Sequence, residues 1–446
     1  MLTRYFAEIG WLSACEGVQR DVSIEVTDGV ITAVTAGSAR HSDAIDLPGF
    51  VIPGMVNAHS HAFHRALRSR THHGRGDFWS WRDQMYTVAN RLTPERYFEL
   101  ARATYAEMVC AGITTVVEFH YVHHDVDGTP YGEPTTMARV LAAAAEDAGI
   151  RLVLLDTLYL QADVEGTPLA GPQLRFGDTD TDQWQARLAA IEAELPEVKL
   201  GAAIHSVRGC PPDAMRTAAA WAQGKHAPLH IHLSEQIKEN VACQAVHGRT
   251  PAQLCHDTGV LGPGTSAVHA THLTDSDIRL LGSSATIACF CPTTERDLAD
   301  GIGPAKALRD AGSLLSLGSD SHAVIDLFEE ARAVELNERL RTMRRGGHSA
   351  DELLGAATRG GAASAGLSDH IGGIEPGYRA DFVAVDTGSV RLAGATDPVA
   401  ATVFAATSGD VTHVVRDGKT VVADRRHLTV GDVSEALTTS IGKLYG

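Results

Sequence analysis

The stretch FVIPGMVNAHSH, residues 50–61, decides the fold, because a run of apolar residues leads directly into a pair of histidines. Apolar runs of this length are typical of strands that are buried on both faces. Segments rich in Ala, Leu and Arg with helical periodicity, such as ERYFELARATYAEMVCAG, separate several such runs. Further apolar runs occur at residues 114–121, 151–160, 200–207, 227–235, 266–273, 285–292 and 313–321.

Eight buried strands with intervening helices predict an α/β fold. Its parallel sheet is expected to close into a (β/α)8 TIM-type barrel over residues 50–369. An open doubly wound sheet is the structural alternative. It is less favoured because no Gly-rich phosphate loop follows any of the strands.

The two ends of the chain show a different pattern of apolar and polar residues. RDVSIEVTDGVITAVTAG near the start and VTHVVRDGKTVVADRR near the end alternate apolar and polar residues around an Asp-Gly turn, which is typical of short antiparallel strands. We therefore predict a small β-sandwich domain formed from both termini, residues 1–49 and 370–430. A C-terminal helix is expected at residues 431–446.

The overall charge limits the possible partners. Lys and Arg number 38 and Asp and Glu number 55, which gives a net charge of −17 and argues against a nucleic-acid or anionic-membrane surface. The chain shows no secretory signal and no apolar run of membrane-spanning length, so a cytoplasmic location is expected. The seven cysteines form no CxxC pair, which fits reduced thiols better than a disulfide framework or a thiolate zinc site.

Polar residues cluster at the C-terminal ends of the predicted strands, where the active sites of such barrels form. Side chains two positions apart on a strand share a face, so a His-x-His pair can chelate one ion. Such a pair alone is as well explained by a surface or core position. Three histidines and an aspartate on three strands, however, form a set suited to Zn²⁺ with a position left for water. The residues at or near these strand ends are His59, His61, His205, His232, His269 and Asp320.

The fifth strand carries a second histidine pair, and spacing alone does not say which member binds a metal. His232 is nearer the C-terminal end of the strand and is the better ligand, whereas His230 is expected to pack or to support the ligands. Glu235 lies three residues beyond His232 and could reach a water on the metal. Its alternative role is a carboxylate in the first turn of the next helix, where negative charge is favoured.

Four motifs resemble the amidohydrolase superfamily in its mononuclear-zinc deaminase branch: PGMVNAHSHAFHR, HIHLSEQ, HATHLT and LGSDSH. The resemblance covers nearly the whole chain, including the split β domain. Four further motifs, DFWSWRDQMY, EFHYVHHD, HSVRG and GSDSH, closely resemble a particular group of enzymes in that branch. Those enzymes hydrolyse the formimino group of N-formimino-L-glutamate to a formyl group and ammonia in histidine degradation, and this is the activity that the resemblance implies.

The resemblance also implies roles for individual residues. It implies one Zn²⁺ per subunit, held by His59, His61, His232 and Asp320. The fourth strand, LGAAIHSV, lacks the lysine that bridges two metals in binuclear relatives, which supports a single metal. The implied catalytic residues are Glu235, His269 and Asp320, and the implied substrate contacts are Arg82, Tyr121, His205 and Arg208. The implied assembly is a homodimer.

His64 departs from the family pattern. Members of the family commonly have a glutamine three residues after the second histidine of the His-x-His pair. Both side chains can hydrogen-bond a substrate amine or carboxylate, but only histidine changes charge near neutral pH. We therefore predict that His64 contacts the substrate and affects substrate preference.

A small substrate with two carboxylates needs cations in this otherwise acidic protein. Arg82 and Arg208 are the candidates, because a guanidinium binds a carboxylate in a bidentate fork. Alternative roles are an exposed helix position for Arg82 and a rim position for Tyr121, with its hydroxyl in water.

Two other functions compete with this prediction. A deaminase acting on a purine, pterin or triazine ring would favour aromatic and amide partners over two arginines. A non-catalytic barrel-shaped assembly protein would typically lack some ligands, whereas every ligand position is filled here. Nitrogen and oxygen donors also accept Fe²⁺, Mn²⁺ or Co²⁺, so the sequence leaves the metal open.

Overall fold

The structure is a computed structural model that describes residues 2–72 and 78–446. The strands are β1 (Leu2–Trp11), β2 (Val18–Thr27), β3 (Val30–Thr35), β4 (Ile45–Asp46), β5 (Phe50–Pro53), β6 (Met55–Ser60), β7 (Ile113–His120), β8 (Arg151–Leu158), β9 (Lys199–Ser206), β10 (Leu229–Leu233), β11 (Thr265–His269), β12 (Ile287–Phe290), β13 (Leu315–Leu317), β14 (Phe382–Val385), β15 (Val411–Arg416), β16 (Lys419–Ala423) and β17 (Arg426–His427).

The α-helices are α1 (Phe78–Ala89), α2 (Pro94–Cys110), α3 (Thr136–Ala148), α4 (Thr181–Glu194), α5 (Pro212–Lys225), α6 (Ile237–His247), α7 (Pro251–Asp257), α8 (Asp275–Ser283), α9 (Pro292–Asp297), α10 (Ala305–Ala311), α11 (Leu327–Thr342), α12 (Ala350–Gly355), α13 (Gly361–Ser364), α14 (Pro398–Ala405) and α15 (Val433–Tyr445). Short 3₁₀ turns occupy Ala62–Leu67, Gly171–Arg175 and Ser408–Asp410, and Ala356–Gly360 is a π turn. In the described part of the chain, no helix combines the length and the apolar character needed to cross a membrane.

Strands β6 to β13 form one parallel sheet in which spatial order follows chain order. Each strand except β9 is almost completely buried, which explains why the sequence shows continuous apolar runs rather than alternation. The order contains no reversal, so the doubly wound alternative is excluded. The predicted TIM-type barrel with a small β domain is confirmed.

The barrel closes between its first and last strands, β6 and β13. Ser60 and Asp320 form a parallel bridge, and the Asp320 N–H donates to the His59 carbonyl at 3.0 Å. Beside them, the Ser319 N–H donates to Oδ1 of Asn57 at 2.9 Å, and Nδ2 of Asn57 donates to the Ser319 hydroxyl at 2.7 Å. These bonds hold the end of β6 against the loop that follows β13.

A second, mainly antiparallel sheet is built from both ends of the chain, in the order β17-β16-β15-β14-β5-β1-β2-β3. An isolated bridge between Val30 and Arg379 brings β3 to the segment before β14. The two arms of this sheet enclose their own apolar cluster, which includes Tyr5, Ile24 and Phe382. The helix α15 packs on the barrel side, where the Tyr445 hydroxyl donates to the Ala66 carbonyl at 3.1 Å.

Residues 50–53 differ from the prediction, which placed them in the barrel. They form β5, which pairs with β1 and β14 in the terminal sheet, and the barrel begins only at β6. The chain changes sheets at Pro53 and Gly54, because proline has no N–H for a ladder. A Cβ on Gly54 would lie 2.2 Å from Oγ1 of Thr114, so only glycine fits this close approach. Residues 50–61 therefore contribute one strand, β5, to the terminal sheet and one strand, β6, to the barrel.

Candidate active site

Four predicted ligands converge at the C-terminal end of the barrel. His59 and His61 lie at the end of β6, His232 lies on β10, and Asp320 follows β13. Nε2 of His59 is 3.1 Å from Nε2 of His232, and Oδ1 of Asp320 is 3.4 Å from Nε2 of both His59 and His61. All four side chains are buried. The three histidines form one group that could hold a metal ion, and Asp320 belongs to two overlapping groups of the same kind, one with His59 and His269 and one with His61 and His64.

The surroundings orient the imidazoles toward this centre. Nδ1–H of His61 donates to the Phe119 carbonyl at 2.9 Å, and Nδ1–H of His232 donates to the His205 carbonyl at 2.9 Å. This tautomer leaves each Nε2 lone pair facing the centre, which is the usual arrangement of metal-binding histidines. His59 differs, since its buried Nδ1 has no hydrogen bond to the residues that the structure describes.

Electrostatics also suit a cation. Burial lowers the pKa of His61 and of His232 well below its usual value, so both imidazoles are neutral and can donate a lone pair. Burial opposes ionisation of Asp320, but His59, His269 and His61 hold the pKa of its carboxyl well below the ordinary range. Neutral imidazoles and an ionised carboxylate are the protonation states that a divalent metal requires, so these residues fit Zn²⁺.

His230 takes no part in this group. It lies on the same face of β10, one layer further from the strand's C-terminal end. Its Nε2–H donates to the Ser364 carbonyl of α13 at 2.8 Å. The preference for His232 over His230 agrees with this geometry.

Glu235 and His269 face the same centre. Nε2 of His269 lies 3.9 Å from Oε1 of Glu235 and 3.8 Å from Oδ2 of Asp320. Burial raises the pKa of Glu235 to about 7. Burial alone would lower the pKa of His269, but Glu235, Glu295 and Asp320 raise it well above its usual value. His269 also has a φ of +68°, a strained backbone conformation that typically occurs at functional sites.

The predicted substrate residues line one cavity together with three of the candidate metal ligands, His61, His232 and Asp320. Arg208 is mostly buried, and its Nε donates to Oε2 of Glu239 at 2.5 Å, while Nη2 lies 3.8 Å from Oε2 of Glu235. Arg82 lies on α1 with its guanidinium 4.5 Å from the Trp79 ring centroid. Its buried Nε has no hydrogen bond to the described residues. Arg82 is therefore not fully exposed, and none of the described residues forms an ion pair with it.

His64, Tyr121 and His205 also border the cavity. Nε2 of His64 forms a hydrogen bond with the Tyr121 hydroxyl at 2.8 Å, and Tyr121 is 5% exposed, so its hydroxyl does not lie in bulk water. The ring of His205 stacks on Tyr159 at 4.2 Å between centroids. Burial lowers the pKa of His64 to about 3, so this imidazole stays neutral near pH 7 and differs less from a glutamine than the sequence suggested.

A second group of potential metal donors, His120, His123 and Asp156, lies on β7, β8 and the loop after β7. Arg187 donates to both carboxylate oxygens of Asp156 at 2.8 to 3.1 Å and also pairs with Asp178. A guanidinium already occupies the position that a cation would take. These residues form a buried ion-pair cluster rather than a metal centre.

Sequence reasoning missed one carboxylate at the centre, Glu295 of α9. Its Oε1 lies 3.5 Å from Nδ1 of His269, on the opposite side of the ring from Glu235. It also missed the aromatic wall of Trp81, Tyr159 and Phe176. The only available signal for Glu295 is an acidic residue shortly after a predicted strand end, in the stretch CPTTERD.

Comparison with known proteins agrees with this architecture. Residues 50–421 match the Amidohydrolase family, and the chain belongs to that family. The formimidoylglutamate deiminase of Pseudomonas aeruginosa is 36% identical over 458 residues, which cover 99% of this chain and 100% of that protein. A 5-methylthioadenosine/S-adenosylhomocysteine deaminase of Syntrophobacter fumaroxidans is 29% identical and covers 92% of this chain and 90% of its own. The crystal structure of an amidohydrolase from Brucella melitensis superposes with a TM-score of 0.92, 32% identity and full coverage of both chains.

Proposed function

We propose that this protein hydrolyses the formimino group of N-formimino-L-glutamate to give N-formyl-L-glutamate and ammonia. The similarity to the P. aeruginosa deiminase, which spans both chains at 36% identity, supports this proposal. We further propose that it is a cytoplasmic homodimer that acts in histidine degradation and uses one Zn²⁺ per subunit.

One observation carries the choice of substrate: charged groups of both signs line the cavity. These are the carboxylates of Glu235 and Asp320 and the guanidiniums of Arg82 and Arg208. An amidine head is basic and suits the carboxylates, while the two carboxylates of the substrate suit the arginines. A neutral purine or triazine ring would offer no negative charge to these two guanidiniums.

His59, His61, His232 and Asp320 would hold the metal ion. When bound, a divalent cation supplies Lewis-acid activation of a water at neutral pH. The chain's own contribution is to fix the ligand geometry. Phe119 and His205 do so through their backbone carbonyls, which hold two of the imidazoles by Nδ1.

Glu235 would move the proton. In the reaction, a water oxygen bonds to the formimino carbon, and the water's proton passes to Oε1 or Oε2 of Glu235. The same proton then passes to the departing nitrogen, which carries two hydrogens from the protonated amidine, and the C–N bond breaks. Ammonia leaves, and the remaining hydroxyl proton passes to the Glu235 carboxylate as the formyl carbonyl forms. A carboxyl with a pKa of about 7 can accept and return a proton at neutral pH. His269, placed between Glu235 and Asp320, would orient the attacking group.

A kinetic comparison tests the proposal. Purified metal-loaded protein is given N-formimino-L-glutamate, guanine, an adenosine-type nucleoside or a triazine, and ammonia release is measured. We expect turnover with the formimino compound and formation of N-formyl-L-glutamate. Ammonia release only from a ring substrate would overturn the proposal and favour the ring deaminase. No turnover of any substrate combined with no metal uptake would favour a non-catalytic protein.

A further inference from the structure

We infer that Glu295 is a positioning residue for the proposed reaction: it holds the imidazole of His269 so that Nε2 faces Glu235 and Asp320. This inference rests on the proposed function, because it assigns a role in turnover. Glu295 is 3% exposed, and no charged side chain of the described residues forms an ion pair with it apart from His269.

The position of His269 leaves Nδ1 dependent on Glu295. Nδ1 is buried, and no described residue forms a hydrogen bond with it in the present geometry. Oε1 of Glu295 lies 3.5 Å away, close enough to accept the Nδ1 proton after a small adjustment. A carboxylate that holds the Nδ1 proton fixes the orientation of the ring, so that Nε2 points at the reaction centre whether or not Nε2 also carries a proton. Without this partner the ring could flip.

The carboxylate is itself held in place. Its Oε1 also accepts the Cys291 N–H at 2.9 Å, which ties it to the start of α9. The same oxygen therefore connects a fixed backbone to the imidazole. This geometry gives Glu295 a structural role as well, in the first turn of α9, and an experiment must separate the two roles.

Glu330 provides a matched control. It is also completely buried and also holds the start of α9, since its Oε2 accepts the Thr293 N–H at 2.9 Å. Its other oxygen accepts the Thr293 hydroxyl. Glu330 and His269, both in the described part of the chain, form no ion pair with each other. A loss of activity that follows only from disturbing α9 should appear in Glu330→Gln as well as in Glu295→Gln.

The test measures kcat, KM, zinc content and melting temperature for Glu295→Gln and Glu330→Gln. Glutamine keeps an oxygen for the Cys291 N–H but removes the negative charge. We expect Glu295→Gln to lower kcat about 10- to 100-fold, by analogy with the loss seen when the hydrogen-bond partner of a metal-binding histidine is removed, with little change in KM or zinc content. Glu330→Gln should retain kcat.

A double-mutant cycle with His269→Asn decides the mechanism. If Glu295 acts through His269, adding Glu295→Gln to His269→Asn will cause no further loss of kcat. Additive losses, wild-type kcat in Glu295→Gln, or equal losses in Glu330→Gln would overturn the inference. These outcomes require an active wild type, so they differ from a failure of the proposed function, in which the wild type itself releases no ammonia from the formimino substrate. In that case the same cycle is run on whichever ring substrate the wild type deaminates.

Discussion

Replacing Arg82 by methionine removes the cavity's one guanidinium that forms no ion pair among the described residues. Arg208 is already committed to Glu239 at 2.5 Å and lies 3.8 Å from Glu235, so much of its charge is offset before a substrate arrives. Among residues 2–72 and 78–446, Arg82 contacts the faces of Trp79 and Tyr86, at 4.5 and 5.5 Å, and forms no ion pair. We therefore expect its charge to be available to a substrate carboxylate.

The expected loss follows from the contact that disappears. A hydrogen bond to a charged group contributes about 1.5 to 3 kcal/mol, and each 1.4 kcal/mol is a factor of ten, so kcat/KM should fall about 10- to 150-fold. Most of the change should appear in KM, because the carboxylates bind alike in the ground state and in the transition state. Arg208→Met is a less clear experiment, because it would leave Glu239 buried without its partner and destabilise the fold.

The assay is steady-state ammonia release with N-formimino-L-glutamate, run beside a formimino compound that has no carboxylate. Arg82→Lys is the matched control, since it keeps the charge but loses the planar fork of the guanidinium. Its kcat/KM should lie between the values of the wild type and of Arg82→Met. Melting temperatures check that the loss of the cation–π contact has not unfolded α1. Wild-type kcat/KM in Arg82→Met would refute the reasoning, as would an equal loss on the substrate without carboxylates.

Four further outcomes are expected. Glu235→Gln should lower kcat by about 10² to 10⁴ while metal content stays at the wild-type level, and unchanged turnover would exclude Glu235 as the proton carrier. His64→Gln should keep kcat/KM within about threefold and leave the pH profile above pH 5 unchanged, because a neutral imidazole and an amide offer similar hydrogen bonds; a large loss would show a role that an amide cannot fill. Chelation should abolish activity and lower the melting temperature, since an ion at 1,000 times its Kd stabilises the folded state by about 4 kcal/mol, and added Zn²⁺ should restore both. Gly54→Ala should destabilise the protein by about 1 to 3 kcal/mol in urea unfolding, whereas Gly132→Ala, with open space around it, should not.

The barrel could be predicted because its signals are local. Each buried strand is a short apolar run, and its polar end coincides with the chain's exit from the sheet. The sheet change at Gly54 could not be predicted, because it depends on Thr114, which is distant in sequence but packs directly against the turn. The periodicity of apolar residues indicates which residues are buried, but it does not indicate to which of the two sheets a buried strand belongs.

Some residues of the candidate site could be predicted from the sequence, and others could not. His59, His61, His232 and Asp320 stand at strand ends, so barrel topology alone brings them together. Glu295 lies on a helix after β12, and its contact with His269 depends on how α9 packs. The neutral state of His64 could not be predicted from the sequence either, because it results from burial of the imidazole, which lowers its pKa to about 3. The catalytic and binding roles themselves stay predictions that the variants above can test.

The closing bridge between Ser60 and Asp320 has a consequence for how the protein matures. His59 and His61 are made early in synthesis, but Asp320 reaches them only when the last barrel strand has paired with the first. A nascent or partly folded chain therefore lacks the complete set of proposed ligands. If these four residues hold a metal ion, we expect the ion to bind late and to stabilise the chains in which β6 and β13 have paired.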